Sequence, residues 1–203
     1  MILRVVSGRV SPGAVDRVSA SYETAYVPIA EQTVGLVRFV VAVESTPDGG
    51  HDLAALTVWA TVDHALAAYG GNLSALRTLD AVDHGERMTK VDYFELDEST
   101  GADIGGDRPT LLRIAVGRVA RGLDADIQQQ LRRRLPDLPG EACEAWIGRR
   151  VLEGDVEIAF VSTWTRAPAE PRLGEALWPV ISDRYAEFGV SLLSILVEGV
   201  GRG

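Results

Sequence analysis

Short apolar segments alternate with polar turns along the first half of the chain, in an order that predicts strands and helices. Apolar, β-branched runs bounded by Gly, Pro, Asp or Ser indicate strands, and apolar residues every three or four positions indicate helices. Strands are predicted at 2–10, 35–43, 53–59 and 88–96, and helices at 15–29, 63–69 and 72–79. Pro28 is expected to end or kink the first helix, because proline lacks a backbone N–H. The predicted order is β-α-β-β-α-β.

The second half of the chain repeats this order. Residues 2–10 (ILRVVSGRV) return as residues 111–119 (LLRIAVGRV), with five of the nine positions identical. Strands are predicted at 111–119, up to 147, at 156–164 and at 191–198, with helical stripes over 123–135 and 173–188. The stretch 98–110 is polar and glycine-rich, which is typical of a linker. We therefore predict two repeats, over 1–97 and 111–203, joined by a linker at 98–110.

This order in each half predicts an α+β fold made of two ferredoxin-like units. Such a unit carries its helices on one face of the sheet, and the bare face must be buried. Strand 35–43 is apolar on both faces, as a sheet covered on both sides requires. We expect the two sheets to pack face to face within one chain. Arg4 and Arg113 alternate with aliphatic residues and are expected to point away from the helices, where they would bind an anion or pair with an acid.

Two segments carry a family resemblance. Pro139-Gly140 leads into the second strand of the second half, and Leu56-Thr57-Val58-Trp59-Ala60-Thr61 precedes the helix that begins near Asp63. With these segments and its two halves, the chain resembles the dimeric α/β-barrel superfamily, in particular antibiotic biosynthesis monooxygenase-like domains, over nearly its whole length. The resemblance implies an intrachain α/β barrel with a ligand cavity between the sheet and the helices of one unit.

The resemblance also limits the activities to be expected of this protein. The family includes cofactor-independent monooxygenases of aromatic polyketides, haem-degrading oxygenases, and binders of haem or small ligands. The haem-degrading branch carries Asn on its first strand, where this chain has Ser7-Gly8, and the second half of this chain has no histidine. We therefore favour a cofactor-independent oxygenase acting on an apolar aromatic small molecule. The alternative is a non-catalytic protein that binds a small ligand, such as haem, or has a structural role.

Histidines are the candidate acid–base groups. His51 follows a hairpin turn and His64 opens a predicted helix, so both are expected at the surface. His84 stands between Asp83 and Gly85. Because histidine changes charge near neutral pH and serves as a general base, His84 is the predicted catalytic residue. A plain position in a surface loop is the alternative.

The substrate-binding residues are predicted in the same half as the histidines. Trp59, Tyr69 and Tyr93 would present large apolar faces to an aromatic ligand, and the alternative is that the tryptophans are core residues. The three histidines lack the spacing of metal ligands, and Cys143 is the only cysteine, so no metal site is predicted.

The composition narrows the partners. The chain has 203 residues, with 20 Lys and Arg against 29 Asp and Glu, a net charge of −9 that disfavours nucleic acid. A single cysteine cannot form an intrachain disulfide, which fits a reducing compartment. The sequence begins in a strand pattern rather than a signal peptide, and no apolar run has the length that spans a bilayer. We expect a cytoplasmic bacterial protein that does not bind membranes, as a monomer or homodimer.

Overall fold

The structure is a computed structural model that describes residues 1–79, 84–96, 102–103, 108–120, 122–135, 138, 142–152, 155–166 and 185–202. Its elements are β1 (Ile2–Val10), α1 (Val15–Ser21), a π-helical turn (Tyr22–Tyr26), α2 (Val27–Ala30), β2 (Leu36–Ser45), β3 (His51–Trp59), α3 (Val62–Ala68), β4 (Glu86–Leu96), β5 (Ala102–Asp103), β6 (Leu111–Ala120), α4 (Asp124–Arg134), β7 (Ala142–Val151), β8 (Asp155–Trp164) and β9 (Tyr185–Val200). The fold is therefore α+β.

Two compact units make up the chain. Unit 1 comprises Met1–Tyr93 and Leu193–Gly203, and unit 2 comprises Phe94–Leu192. Unit 1 is therefore made of two segments of the chain, and the boundaries between the units fall inside strands β4 and β9. The division into 1–97, a linker at 98–110 and 111–203 stays a prediction, and most of the predicted linker lies outside the described residues.

The sheet of unit 1 has the strand order β4-β1-β3-β2-β9. Both β1 and β2 pair antiparallel with β3, and Trp59 lies opposite Ile2 on one side and Leu36 on the other. The end of the chain supplies the last strand, because β9 pairs antiparallel with β2 from Arg38↔Val200 to Val43↔Ser194. The first half of the chain thus lacks one strand of its own sheet.

One face of this sheet packs against the helical segment 15–30. Val18, Tyr22, Tyr26 and Ala30 are buried at intervals of four residues. In an α-helix, residues four apart drift by about 40° around the axis, so a strict four-residue stripe would leave the core. The wider π-helical turn over Tyr22–Tyr26 reverses that drift and keeps both tyrosines on the sheet. Pro28 does not end the helix, which continues to Ala30 directly after the π-helical turn.

The central strands of unit 1 are buried on both faces, as the pattern of 35–43 predicted. Phe39 and Val41 belong to the core beneath the helices. Val40 and Leu56 are completely buried as well, although they lie outside that core. Each central strand therefore contributes side chains to two buried layers.

Unit 2 follows a related plan. Its strand order is β9-β6-β8-β7-β5, and β6 pairs antiparallel with β8 from Leu111↔Trp164 to Ala120↔Asp155. The end of β4 joins this sheet at Glu95↔Arg149. Ile127 and Leu131 of α4 pack into its core.

Two predicted helices differ from the structure. Residues 72–79 form turns and bends, because carbonyl groups in this segment accept hydrogen bonds from a side chain instead of from the helix backbone, as described below. Strand β9 begins at Tyr185, so the predicted helix does not extend to Phe188. Residues 167–184, which hold the rest of that prediction, lie outside the described part of the chain. Among the described helices, none has the length and apolar character to cross a membrane.

Candidate functional site

His84 lies two residues before β4 and is buried rather than exposed at the surface. Only 3% of its surface is exposed. Its Nδ1 lies 2.8 Å from Ser21 Oγ, at the end of α1. Its ring stacks on that of Tyr22, with 4.1 Å between centroids and 18° between planes. The helical segment therefore holds the imidazole through a hydrogen bond with Ser21 and the stacked ring of Tyr22.

Tyr22 also contacts Glu86, the first residue of β4. The Tyr22 hydroxyl donates to Glu86 Oε1 at 2.7 Å. Glu86 and Gly85 also line a surface groove of about 410 Å³. We call Ser21, Tyr22, His84 and Glu86 the His84 cluster. In this cluster Tyr22 stacks on the buried imidazole and donates a hydrogen bond to Glu86, which lines the groove.

A second cluster surrounds Tyr69. The rings of Trp59 and Tyr69 meet edge to face, with centroids 5.8 Å apart. The Trp59 indole N–H donates to Thr57 Oγ1 at 3.0 Å, and the Tyr69 hydroxyl lies 3.5 Å from the same oxygen. The Arg4 guanidinium lies over the Tyr69 ring, 3.7 Å from its centroid. We call Arg4, Thr57, Trp59 and Tyr69 the Arg4 cluster.

Burial shifts the pKa values of two side chains in the Arg4 cluster, Tyr69 and Arg4. Burial raises the pKa of the Tyr69 hydroxyl above its ordinary value, and the nearby Arg4 charge only partly opposes it. Burial likewise lowers the pKa of Arg4. Near pH 7 the tyrosine is therefore a neutral hydrogen-bonding group and not a base.

Arg4 is held by backbone carbonyl groups. Its Nε donates to the carbonyl of Leu73 at 2.9 Å, and its Nη atoms donate to the carbonyls of Ala75 and Arg77. The expectation that Arg4 points away from the helices is wrong. Its side chain lies on the same face of β1 as Val6, among the residues that follow α3.

The four predicted site residues do not form one site in the structure. It brings Trp59 and Tyr69 together in the Arg4 cluster and places His84 in the other cluster. Tyr93 lies on β4 with 39% of its surface exposed, and its side chain forms no ring contact or hydrogen bond with the described residues. Whether these residues act on a substrate stays a prediction.

Sequence reasoning missed the partners of His84. Ser21 and Tyr22 lie more than sixty positions away, and a serine at a helix end carries no specific signal. The helical stripe already placed Tyr22 toward the core. A further signal was the short spacing between His84 and Glu86, the first residue of β4.

Comparisons with known proteins identify the fold. No family model matches the chain, and no curated protein matches it. A protein from Fusobacterium nucleatum, provisionally designated a monooxygenase, aligns at 13% identity with a TM-score of 0.70, covering 98% of this chain and 94% of that chain. A provisional monooxygenase from Lactobacillus acidophilus aligns at 10% identity with a TM-score of 0.59, covering 100% and 97%.

A third solved structure, described as an anthrone oxidase-like protein, aligns at 14% identity with a TM-score of 0.58, covering 98% of this chain and 93% of that chain. Identities this low support a statement about the fold and not about the reaction. The chain has an α+β fold like that of these monooxygenase-named proteins, consistent with a dimeric α/β-barrel-like architecture.

Proposed function

We propose that this protein is a monooxygenase-like enzyme that oxidises an apolar aromatic small molecule with O₂ and needs no cofactor. The observation that carries the proposal is the buried His84, hydrogen-bonded to Ser21 and joined through Tyr22 and Glu86 to a surface groove. The likeness to monooxygenase-named structures along almost the whole chain supports the same class. We further propose that each unit is ferredoxin-like and that the two arose by tandem duplication.

The first step of the proposed oxidation is removal of a proton from the substrate, which requires a base. An aromatic ketone of the anthrone type has an acidic C–H, and its removal leaves an electron-rich anion that reduces O₂. Anthrone and O₂ then give anthraquinone and water. In this proposal His84 takes the proton and Ser21 holds the imidazole in one orientation. We keep as a separate proposal that Trp59, Tyr69 and Tyr93 contact an apolar ligand, because they lie outside the His84 cluster.

One observation favours the second candidate, a protein that binds a small ligand without turnover. The core of unit 1 is closely filled by aromatic rings that meet edge to face, Tyr22 with Tyr26 and Tyr26 with Phe39. All three residues are at most 1% exposed. A ligand would then occupy the groove beside Glu86 and remain outside the core.

Oxygen uptake with anthrone as the probe tests the proposal, with anthraquinone measured by chromatography. We expect the His84→Ala variant to lose about 100-fold or more of the rate, the usual contribution of a general base. His51→Ala is the matched control, because His51 lies at the start of β3 and outside the His84 cluster. Equal rates in wild type and His84→Ala would rule out His84 as the base. Anthrone binding without O₂ uptake would support the second candidate.

A further inference from the structure

Arg113 is a buried cation on β6 for which the described residues of unit 2 supply no counter-ion. Only 8% of the surface of Arg113 is exposed, and its Nη1 atom is buried with no hydrogen-bond partner among the described residues. It lies on β6 opposite Ser162 of β8. It shares its face with Ala115 and Val119, which pack with α4, so the expectation that it points away from the helices is also wrong.

Arg4 in unit 1 provides an internal comparison. Arg4 lies opposite Thr57, and the Trp59 indole donates to that threonine at 3.0 Å. In unit 2 the Trp164 indole donates in the same way to Ser162 Oγ at 2.9 Å. The two arginines therefore occupy matching positions beside matching Trp–hydroxyl pairs.

The two arginines differ in how their charge is compensated. The Arg4 guanidinium donates to three backbone carbonyls and stacks on Tyr69. For Arg113, no hydrogen bond, ion pair or ring contact is found within the described part of the chain. Burial lowers the pKa of Arg113, and no neighbouring group opposes that effect. A buried charge left in this state is strongly unfavourable, so an external anion would stabilise it.

We propose that Arg113 binds the carboxylate of a small organic acid with an apolar, aromatic body. A guanidinium is planar and matches a carboxylate with two parallel hydrogen bonds. One positive charge is neutralised by one carboxylate, which favours a monoanion over a phosphate dianion. Leu111, Ala115 and Trp164 share the helix-facing side of the sheet with Arg113 and supply an apolar setting for the rest of the ligand. This site lies in unit 2 and does not depend on the role of His84.

The test uses benzoate as the probe, with acetate and phosphate for comparison, in a chloride-poor buffer on the full chain. We expect benzoate to raise the Tm of the wild type by about 5 °C or more at roughly a hundredfold excess over its Kd. Acetate should bind more weakly because it lacks the apolar body. In Arg113→Met the benzoate shift should disappear. A shift that persists in that variant would place the binding elsewhere and overturn the proposal.

Stability without ligand provides a second readout. Arg113→Met removes a buried charge that the described residues do not compensate, so its Tm should equal or exceed that of the wild type. Arg4→Met is the matched control and should lower the Tm, because it leaves three partly buried carbonyls without their donor. If Arg113→Met lowers the Tm as much as Arg4→Met does, Arg113 already has a partner in the free protein. If the wild type shows no response to benzoate, the carboxylate site does not exist.

Discussion

Buried hydroxyl groups on the third strand of each unit fall into two kinds. Thr57 Oγ1 accepts the indole N–H of Trp59 and lies close to the Tyr69 hydroxyl. Thr163 Oγ1 is equally buried but has no hydrogen-bond partner among the described residues. A polar atom costs free energy when it is buried without a partner and is neutral or stabilising when it is paired. The same residue type thus has opposite energetic roles in the two strands.

Replacing each threonine by valine, which has the same shape, tests this difference. We expect Thr57→Val to lower the free energy of unfolding by about 1–3 kcal/mol, because the Trp59 N–H is left buried without an acceptor. Thr163→Val should leave the free energy of unfolding unchanged or raise it. Urea unfolding of both variants measures the effect. Equal losses in the two variants would mean that packing of the branched side chain, and not the hydrogen bond, determines the stability.

The candidate site shows how far sequence reasoning reaches at the residue scale. Trp59 and Tyr69, two of the predicted substrate-binding residues, pack together in the core, and their contact with a substrate stays a prediction. The sequence pattern could not join His84 to Ser21, because that contact depends on how a helix end lies over the start of a distant strand. It also placed Arg4 on the wrong face, since its alternation with aliphatic neighbours was expected to turn it away from the helices.

At the scale of elements, helix α4 is fastened to the sheet of unit 2 through its first residue. Asp124 accepts the Arg149 Nε–H at 2.7 Å and the Gly122 backbone N–H at 3.1 Å. Burial favours the neutral carboxyl, but these hydrogen bonds outweigh it and hold the pKa of Asp124 below its ordinary value. The carboxylate therefore stabilises the folded state only while it is ionised.

A pH series tests this attachment. Asp124→Asn should lower the free energy of unfolding at pH 7 by about 1–2 kcal/mol, a modest figure because Arg149 is partly exposed. The pKa is lowered on folding, so this contribution is complete above the unfolded value of about 4 and is lost as the pH falls through the folded value. Chemical unfolding at pH 7, 5 and 3 should show the two proteins converging at the acidic end. Asp126→Asn, in the same turn but exposed, is the control and should show a smaller difference at pH 7.

The segment 72–79 illustrates a competition between elements. Leu73, Leu76 and Leu79 have helical spacing, and Asn72 is a good N-cap. A helix here would use its carbonyls within the backbone ladder. In the structure, the carbonyls of Leu73, Ala75 and Arg77 face the Arg4 guanidinium, which needs acceptors because it is buried. Compensation of a buried charge outweighs a weak local helical preference.

At the scale of the whole molecule, the two ends of the sequence are joined within unit 1. Strand β9 completes the sheet beside β2, and Arg38 forms an ion pair with Glu198 across these strands. The side chains of this pair are only 11% and 10% exposed. Removing one partner from a buried pair is strongly destabilising. The C-terminal strand is therefore a structural part of the N-terminal half.

Removing one partner of the Arg38–Glu198 ion pair should show how strongly the fold depends on strand β9. We expect Glu198→Leu to lower the free energy of unfolding by about 3–5 kcal/mol, and the double variant Arg38→Met/Glu198→Leu to recover most of the loss. The exposed pair between Arg9 and Asp48 is the control, and Asp48→Ala should change stability little. Thermal and urea unfolding of the four proteins measure both effects. A small loss in Glu198→Leu would mean that solvent reaches the Arg38 guanidinium.

The sequence by itself determined the α+β class and the positions of most of the described strands. It did so because strand and helix periods are local properties of the chain, and the repeated segments 2–10 and 111–119 present the same pattern twice. The burial of 35–43 on both faces was also readable, since a doubly covered strand has no polar side.

Tertiary structure alone decided which strand completes each unit and which polar groups meet. The placement of β9 beside β2, the carbonyl cage around Arg4 and the contact between Ser21 and His84 all join residues that lie far apart in sequence. Each is determined by the free energy of pairing buried polar groups and sheet edges once the elements have packed. No local pattern of hydrophobic and polar residues contains that information.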